Sequence, residues 1–393
     1  MHKRILALTL AILMIISLAA CVKDDTPAVT TAAETTTETT EATTTAATLS
    51  AEELKAAELA QYLSSVTYRD FELTGADEPY FMGRWFEKDL DGVSHMVTVT
   101  SGSHCYFLTD GATSIEVDFT LLTSESSTHF AYSIDGAEPV RQLCTQKTVN
   151  LPDAEYHTVR IIADGIYEGH GEKWTNETGY ALKSITTSEG GKIYGIKPTN
   201  KIIFYYGDSI TEGIYALGSA TKYNSAVNSF TWHSAEKLGI TPYFIGYGGT
   251  GFTQGVNESK SFATMIEAID YNSQNRLVED GIIPDVIVIS HGTNEFWTKT
   301  NVFEEAAKAA IDRLNEKYPN TPIIYLGHYN SNNNKNPFCE RVTKSYDNVY
   351  WVSSESWNIT FTDSCHPNAA GAQKLGNNFA DAMKNILGED FFN

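Results

Sequence analysis

The chain has 393 residues, with 49 acidic side chains against 28 lysines and arginines, and its formal net charge is −21. A surface this acidic repels nucleic acid and anionic lipid headgroups, so the sequence predicts neutral partners and no nucleic acid. The length exceeds that of one typical domain and predicts two.

The first 20 residues have the composition of a secretory signal peptide. Lys3 and Arg4 precede an apolar run over residues 5–20, which is shorter than the ~20 apolar residues of a spanning helix. Leu18-Ala19-Ala20-Cys21 resembles a bacterial lipobox, which implies that Cys21 becomes a lipidated N-terminus. Ordinary cleavage beside an incidental cysteine is the alternative. We therefore expect an extracytoplasmic protein, lipid-anchored at a bacterial cell surface.

Residues 21–50 are predicted to be a disordered linker. Threonine accounts for 12 of the 23 residues in the segment 26–48. Such a tract has few apolar side chains to bury and cannot offset the entropy that it would lose on ordering.

Residues 51–198 predict an antiparallel β-sandwich, jelly-roll-like, with a leading helix. Apolar and polar side chains alternate along short segments such as 115–121, and glycine and aspartate turn signals separate these segments. Ser50 and Glu53 have the spacing of a capping box, which predicts the start of the helix.

Residues 199–393 predict a three-layer α/β domain with a parallel sheet. Short, continuous apolar runs are typical of buried parallel strands, and here they alternate with helical periodicity. The expected strands are 202–206, 241–245, 285–290, 322–326 and 349–353, and the expected helices are 230–238, 262–275, 302–318 and 367–387. In such a sheet, ligands bind where the carboxyl ends of the strands meet.

Four cysteines follow Cys21, two in each predicted domain. Export permits disulfides, so Cys105 with Cys144 and Cys339 with Cys365 are conceivable pairs, while four free thiols are equally open. No CxxC or HxxxH spacing occurs, and the sequence predicts neither a metal site nor a cofactor.

Four short motifs of the second domain each lie after a predicted strand. They are Gly207-Asp208-Ser209, Gly246-Tyr247-Gly248-Gly249-Thr250-Gly251, Gly292-Thr293-Asn294 and Asp363-Ser364-Cys365-His366. The first and last contain a serine, an imidazole and a carboxylate, the groups with which a serine hydrolase activates its nucleophile. We predict Ser209 as nucleophile, His366 as its base and Asp363 as the carboxylate that orients the base.

In this order the motifs resemble the four blocks of the SGNH, or GDSL-type, hydrolases. With a sandwich domain ahead of them, the chain looks like the acetyl xylan esterases of carbohydrate esterase family 2. Gly83-Arg84-Trp85 and residues 156–160 resemble segments of that family's first domain. The resemblance implies removal of O-acetyl groups from plant polysaccharides such as xylan or glucomannan. One departure is Asn294-Glu295, where the family has Asn-Asp.

The resemblance also implies an oxyanion hole, because the tetrahedral intermediate of acyl transfer needs hydrogen-bond donors aimed at its oxygen. The candidate donors are the Ser209 amide, the Gly249 amide and the Asn294 side chain. Gly248 and Gly251 remain open as alternatives to Gly249.

Other side chains near the motifs have structural alternatives. Trp297, Tyr329 and Trp357 are candidates for stacking on a sugar ring, although loop aromatics also serve in packing. Asp208 is interpreted as a hydrogen-bond acceptor that stabilises the turn around Ser209. Three further histidines are expected to be structural or surface residues: His233, His291 and His328.

Three functions are compatible with these features: a polysaccharide O-acetylesterase, a lipid esterase or thioesterase, and a surface carbohydrate-binding protein with an idle hydrolase fold. The asparagine-rich segment 330–336 suits sugar hydroxyls better than a long acyl chain. The intact set of catalytic side chains favours an enzyme. The partner that we expect is therefore an acetylated polysaccharide or oligosaccharide.

Overall fold

The structure is a computed structural model that describes residues 49–122, 128–166, 172–175, 177–253, 264–295, 297–329 and 335–392. The predicted signal peptide, Cys21 and nearly all of the threonine-rich linker lie outside the described residues. Ser50–Asn393 group into one compact unit, which contains both predicted domains. The boundaries of those domains stay a prediction.

The helices and strands of the described residues are as follows. The α-helices are α1 Ala51–Ser65, α2 Glu172–Thr175, α3 Ser209–Glu212, α4 Phe230–Leu238, α5 Met265–Asp270, α6 Thr300–Lys317, α7 Asn336–Thr343 and α8 Ala369–Leu387. The antiparallel strands are β1 Phe71–Leu73, β2 Tyr80–Met82, β3 Trp85–Leu90, β4 Val93–Thr98, β5 His104–Asp110, β6 Ser114–Leu121, β7 His129–Ile134, β8 Val140–Leu143, β9 Thr148–Asn150, β10 His157–Gly165, β11 Tyr180–Thr187 and β12 Lys192–Pro198. The parallel strands are β13 Ile202–Gly207, β14 Thr241–Gly246, β15 Val286–Ser290, β16 Ile323–Leu326 and β17 Val349–Val352. Short 3₁₀ helices lie at Thr221–Tyr223, Ala226–Asn228, Ser273–Asn275, Glu355–Trp357 and Glu389–Phe392.

Strands β1 to β12 form two antiparallel sheets that pack face to face. The larger sheet has the order β1-β12-β5-β10-β7-β8 with β2 beside β5, and the smaller has the order β3-β4-β11-β6-β9. Phe107 and Val159 of the larger sheet pack into one core with Val117 and Leu182 of the smaller sheet. This confirms the predicted antiparallel sandwich, because the alternating side chains of the two sheets bury each other.

The larger sheet is covered on its outer face as well. Tyr106 and Leu108 pack there against Leu59 and Leu63 of α1. Ile162 packs on the same face against Trp232 and Phe244 of the α/β part. Every residue of β10 is therefore buried, and the alternation that marks 115–121 is lost in this strand.

Strands β13 to β17 form one parallel sheet with the order β14-β13-β15-β16-β17. On β13, Phe204 and Tyr206 pack against a layer that includes α5, α6 and α7. Ile203 and Tyr205, which alternate with them, pack against α4 and α8 on the other face. The predicted three-layer α/β architecture is confirmed, and continuous burial of β13 follows from the two covering layers.

Two helices of the α/β part were not predicted. Helix α3 has only four residues and begins at Ser209. Helix α7 begins at Asn336 with a proline in its first turn, at the end of the asparagine-rich segment 330–336. The predicted helix 262–275 includes residues outside the described part, and α5 with a 3₁₀ turn occupies the rest.

The register of the parallel sheet brings the motifs together. Gly207, the last residue of β13, pairs with Gly246 of β14 on one side and with Ser290 of β15 on the other. The loops that follow these strands therefore leave the sheet at the same level. The motifs of Ser209, Gly249 and Asn294 must meet at this edge, which we call the catalytic edge.

Charged side chains cross the boundary between the sandwich and the α/β part, and we call these contacts the seam. Lys173 of α2 pairs with Glu212 of α3, and both side chains are buried. Asp164 of β10 is fully buried and accepts hydrogen bonds from the Ser225 hydroxyl at 2.9 Å and the Val227 N–H at 3.0 Å. Further seam contacts join Arg160 and Arg69 to Glu236, and Arg84 to the carbonyls of Ala268 and Tyr271.

All four cysteines of the described residues are free thiols. Cys105 and Cys144 lie in the sandwich core, whereas Cys339 lies in the α/β core and Cys365 at its edge. Burial raises the pKa of each thiol to about 12, which disfavours the reactive thiolate. In the same part of the chain, no helix is long and apolar enough to cross a membrane.

Candidate active site

Ser209 begins helix α3 directly after strand β13. Asp208 caps this helix by accepting a hydrogen bond from the Ile210 N–H to its Oδ1 atom at 3.0 Å. A Cβ atom at position 207 would overlap the Thr211 side chain, so only glycine permits this tight turn. The turn leaves Ser209 8 % exposed at the catalytic edge.

His366 lies between Ser209 and Asp363. Its Nε2 atom is 2.8 Å from Ser209 Oγ, and its Nδ1 atom is 2.8 Å from Asp363 Oδ2. The other carboxylate oxygen of Asp363 accepts hydrogen bonds from the N–H groups of Cys365 at 2.7 Å and His366 at 2.6 Å. The loop therefore turns around the carboxylate, which brings together two side chains only three residues apart.

The surroundings of Asp363 favour its ionised form. Partial burial acts to raise the pKa of this carboxyl, but hydrogen bonds from the His366 amide, the His366 ring and the Cys365 amide outweigh it. The pKa of Asp363 is therefore lowered below its usual value. An ionised Asp363 can accept a hydrogen bond from Nδ1–H of His366, and in that tautomer Nε2 can accept a proton.

Asn294 connects the first three motifs. Its Nδ2 group donates to the Thr250 carbonyl at 2.8 Å and to Asp208 Oδ2 at 3.3 Å. Thr250 in turn donates from its hydroxyl to the Gly207 carbonyl at 3.3 Å. Asn294 does not cap the next helix, since α6 begins at Thr300. The amide side chain is thus held beside the turn that carries Ser209.

The candidate backbone donors lie in the same loops. Gly249 has a φ of 76°, a left-handed conformation that favours glycine. Among the described residues, no hydrogen bond has the Gly249 N–H or the Ser209 N–H as its donor. These two amides, with the Asn294 side chain, can therefore serve an oxyanion.

Glu295, the departure from the family pattern, connects the loop of the second motif to the loop of the third motif by hydrogen bonds. It is fully buried, and its carboxylate accepts hydrogen bonds from the Thr253 N–H at 2.9 Å and the Thr298 hydroxyl at 2.7 Å. Gly251 lies against this carboxylate, and a Cβ atom there would overlap Glu295 Oε1. The longer acid therefore fills the space that Gly251 leaves.

Two histidines behind the third motif are structural. His328 contacts the Thr293 hydroxyl through Nδ1 at 2.9 Å and the His291 carbonyl through Nε2 at 3.0 Å. Burial lowers the pKa of His328 to about 4 and that of His291 to about 3, so both rings are neutral at physiological pH. His233 lies in α4.

The three predicted aromatic residues have different surroundings, and their role in stacking on a sugar ring stays a prediction. Trp297 is 90 % exposed and has no ring contact with another described residue. Tyr329 is half-buried and packs against Phe361 with ring centroids 5.5 Å apart. Trp357 is half-buried and packs against the core cluster that includes side chains of α8. Residues 330–334 of the asparagine-rich segment lie outside the described part.

Tyr215 is a residue of the site that the sequence did not single out. Its ring lies edge to face with His366, with centroids 5.3 Å apart and an interplanar angle of 82°. Its backbone has a φ of 56°, which side-chain-bearing residues rarely adopt. No sequence signal marks a tyrosine in this conformation. Within the described part of the chain, no cluster of histidine, cysteine or acidic residues could hold a metal ion.

The comparison with known families covers the α/β part. Residues 205–374 match the sequence model of the GDSL-like Lipase/Acylhydrolase family. This confirms the resemblance that the four motifs indicated, and it identifies the region as an ester hydrolase domain. No curated protein sequence matches the chain.

Solved structures share the fold of both parts. A family two carbohydrate esterase from Clostridium thermocellum, in complex with cellohexaose, is 20 % identical with a TM-score of 0.65, over 79 % of this chain and 100 % of that one. A family two carbohydrate esterase from Cellvibrio japonicus is 18 % identical with a TM-score of 0.66, over 82 % and 98 %. An acetyl xylan esterase from the rumen bacterium Butyrivibrio proteoclasticus is 15 % identical with a TM-score of 0.60, over 82 % and 100 %. A sandwich followed in the chain by an α/β part thus recurs in these structures.

Proposed function

We propose that the protein is a serine esterase that removes O-acetyl groups from a plant cell-wall polysaccharide of the xylan or glucomannan type. The observation that carries this proposal is the position of His366, with one ring nitrogen 2.8 Å from Ser209 Oγ and the other 2.8 Å from Asp363. The names of the structural relatives support a carbohydrate substrate, since one is an acetyl xylan esterase and another was solved with cellohexaose.

In the first half-reaction, the proton of Ser209 Oγ passes to His366 Nε2 as the oxygen attacks the acetyl carbonyl. Asp363 holds the ring by its Nδ1–H and stabilises the imidazolium that forms. The imidazolium then protonates the departing sugar hydroxyl, which leaves an acetyl group on Ser209. In the second half-reaction, water gives a proton to His366 and attacks the acetyl-enzyme. The imidazolium then returns this proton to Ser209 Oγ as acetic acid leaves, and the acid ionises to acetate.

The oxyanion of each tetrahedral intermediate would be met by the Ser209 and Gly249 amides and by Asn294. The Asn294 bond to Thr250, at 2.8 Å, orients the amide, and the longer bond to Asp208, at 3.3 Å, is the one that an oxyanion would replace. Each such donor stabilises the transition state by about 2.7–4 kcal/mol.

The net charge of the protein favours a neutral substrate. A formal charge of −21 disfavours anionic lipids and is compatible with neutral, acetylated sugars. The resemblance to acetyl xylan esterases and the polar residues of segment 330–336 lead us to expect a preference for acetyl over longer acyl esters.

Acetate release from acetylated xylan and acetylated glucomannan, measured beside p-nitrophenyl acetate and p-nitrophenyl octanoate, tests the proposal. We expect acetate release from the polymers and a higher kcat/KM for the acetyl ester. The matched control is Ser209→Ala, which should release none. Equal or higher kcat/KM on the octanoyl ester would point to a lipid esterase, and polymer binding without acetate release would point to a binding protein.

We also propose that the enzyme is anchored at a bacterial cell surface through a lipid on Cys21. The support is the lipobox resemblance at residues 18–21, which lie outside the described residues. Labelled palmitate should enter the expressed protein, and Cys21→Ser should abolish both labelling and membrane retention. An unlabelled, fully secreted wild-type protein would refute the anchor.

A further inference from the structure

The turn after the nucleophile helix contains a backbone outlier. Tyr215 lies six residues beyond Ser209 and has a φ of 56°, in the left-handed region that non-glycine residues rarely occupy. Such a conformation persists only where the surroundings hold it in place, and it is common in functional sites. The contacts of Tyr215 show what holds it.

Both backbone polar groups of Tyr215 have side-chain partners. Its N–H donates to Asn224 Oδ1 at 3.0 Å, and its carbonyl accepts a hydrogen bond from the Thr362 hydroxyl at 2.8 Å. Thr362 immediately precedes Asp363, and its own N–H donates to the His366 carbonyl at 2.9 Å. We call Tyr215, Asn224 and Thr362 the Tyr215 clamp, because they tie the loop of Asp363 and His366 to the segment that follows Ser209.

The clamp continues into the sandwich. Asn224 is buried, and its Nδ2 group donates to the Ile166 carbonyl at 3.1 Å, just beyond strand β10. Arg141 of β8 donates from Nη2 to the Asn224 carbonyl at 2.8 Å. A chain of hydrogen bonds therefore runs from the sandwich, through Asn224 and Tyr215, to the loop that carries the base.

The Tyr215 ring adds a contact to the base itself. It lies edge to face with the His366 ring, 5.3 Å between centroids. Asp363 and Ser209 contact the two ring nitrogens of the imidazole, but these two contacts leave the ring free to rotate about the line that joins them. An aromatic ring packed against the imidazole limits that rotation while Nε2 faces Ser209 Oγ.

We propose that Tyr215 is a positioning residue for His366, and that the Tyr215 clamp transmits support from the sandwich to the acid–base loop. This inference rests on the proposed function, because it treats His366 as the base for Ser209. It gives the sandwich a part in catalysis that requires no contact with substrate.

Two pairs of variants test the two halves of the clamp. Tyr215→Asn removes the ring while keeping a residue that tolerates the left-handed conformation, and Tyr215→Phe keeps the ring as the matched control. Thr362→Val removes the hydrogen bond to the Tyr215 carbonyl with little change in shape, and Thr362→Ser restores it.

Because misplacement of a catalytic group by ~1 Å can lower the rate ~10²-fold, we expect kcat to fall by about 10–10²-fold in Tyr215→Asn and Thr362→Val. KM on p-nitrophenyl acetate should stay within about twofold, and both control variants should retain wild-type kcat.

A second readout needs no sugar and no hydrolysis. A fluorophosphonate labels an activated serine, and intact-mass spectrometry gives the rate at which Ser209 is modified. We expect this rate to fall in Tyr215→Asn and Thr362→Val in parallel with kcat, and to remain unchanged in Tyr215→Phe and Thr362→Ser. A purely structural role would lower the melting temperature without changing the labelling rate of the folded protein.

The outcomes separate this proposal from the proposed function. Wild-type labelling rates in Tyr215→Asn and Thr362→Val would overturn the clamp while leaving the esterase intact. The same holds if Tyr215→Asn raises KM only on the polysaccharide, since Tyr215 would then be a sugar contact. A wild-type protein that neither takes the label nor releases acetate would overturn the proposed function, and the clamp with it.

Discussion

Charged side chains are used in opposite ways at the seam and at the catalytic edge. At the seam, Lys173, Glu212 and Asp164 are buried and paired. At the catalytic edge, the side chain of Asp363 is 35 % exposed. A buried pair has one arrangement that satisfies both charges, and losing either partner leaves an uncompensated charge. An exposed carboxylate is solvated with or without its partner. We therefore expect loss of a buried seam charge to change mainly stability, and loss of a catalytic-edge side chain to change mainly chemistry.

The largest effect is expected at the catalytic edge, without loss of stability. Ser209→Ala and His366→Ala should each lower kcat by about 10⁴–10⁶-fold, and the double variant should be scarcely worse, because the two residues act as one unit. Single-turnover kinetics on p-nitrophenyl acetate, with urea unfolding as the stability control, measures both properties. Near-wild-type turnover in His366→Ala would show that the base is misassigned.

At the seam, Lys173→Met should lower the free energy of unfolding by about 3–5 kcal/mol, because it leaves the Glu212 carboxylate buried without its cation. Urea denaturation measures this change. The matched control is the double variant Lys173→Met/Glu212→Gln, which removes both charges and should recover most of the lost stability. If Lys173→Met were as stable as the wild type, the contrast between seam and edge would not hold.

Asn294→Ala tests an uncharged side chain at the catalytic edge. We expect kcat to fall by about 10²–10³-fold with little change in KM, because the Asn294 amide would meet only the oxyanion. Steady-state kinetics on p-nitrophenyl acetate gives both constants. Asn385→Ala, at an exposed position of α8, serves as the control and should change neither. A rise in KM at unchanged kcat would instead make Asn294 a substrate-binding residue.

The smallest expected effect is a pH dependence of stability at the catalytic edge. The pKa of Asp363 is lower in the folded protein than its usual value, so its contribution is fully present above about pH 5 and is lost as the pH falls through the folded pKa. Melting temperatures of wild type and Asp363→Asn should therefore differ near neutral pH and converge as the pH falls below the folded pKa of Asp363. A difference that persists at low pH would show that the loop, and not the charge, stabilises the wild type.

The features that could be predicted from sequence are those that local pattern determines. The apolar run of β13 and the glycine that ends it specify a buried strand and a tight turn. Parallel strands with matched ends then bring the loops of Ser209, Gly249 and Asn294 to one edge. Asp363 and His366 could be paired because they are only three positions apart.

Features that depend on contacts between distant residues could not be predicted. Lys173 and Glu212 are 39 positions apart, and neither has a local pattern that marks it as buried. The backbone of Tyr215, in its left-handed conformation, is hydrogen-bonded to the side chains of Asn224 and Thr362, which lie in other segments. Likewise, β10 loses its alternation because the α/β part covers its outer face, a contact that the strand's own sequence does not encode.

The fit between Gly251 and Glu295 restricts the order in which these two positions can change. A side chain at 251 has no space while the longer acid is present, and Glu295→Asp on its own would leave a void beside the glycine and draw the carboxylate away from Thr253 and Thr298. Each single change is thus unfavourable, whereas Gly251→Ala with Glu295→Asp exchanges volume between neighbours. We therefore expect directed evolution of this loop to yield the Gly251→Ala and Glu295→Asp pair only when both codons are varied in the same library.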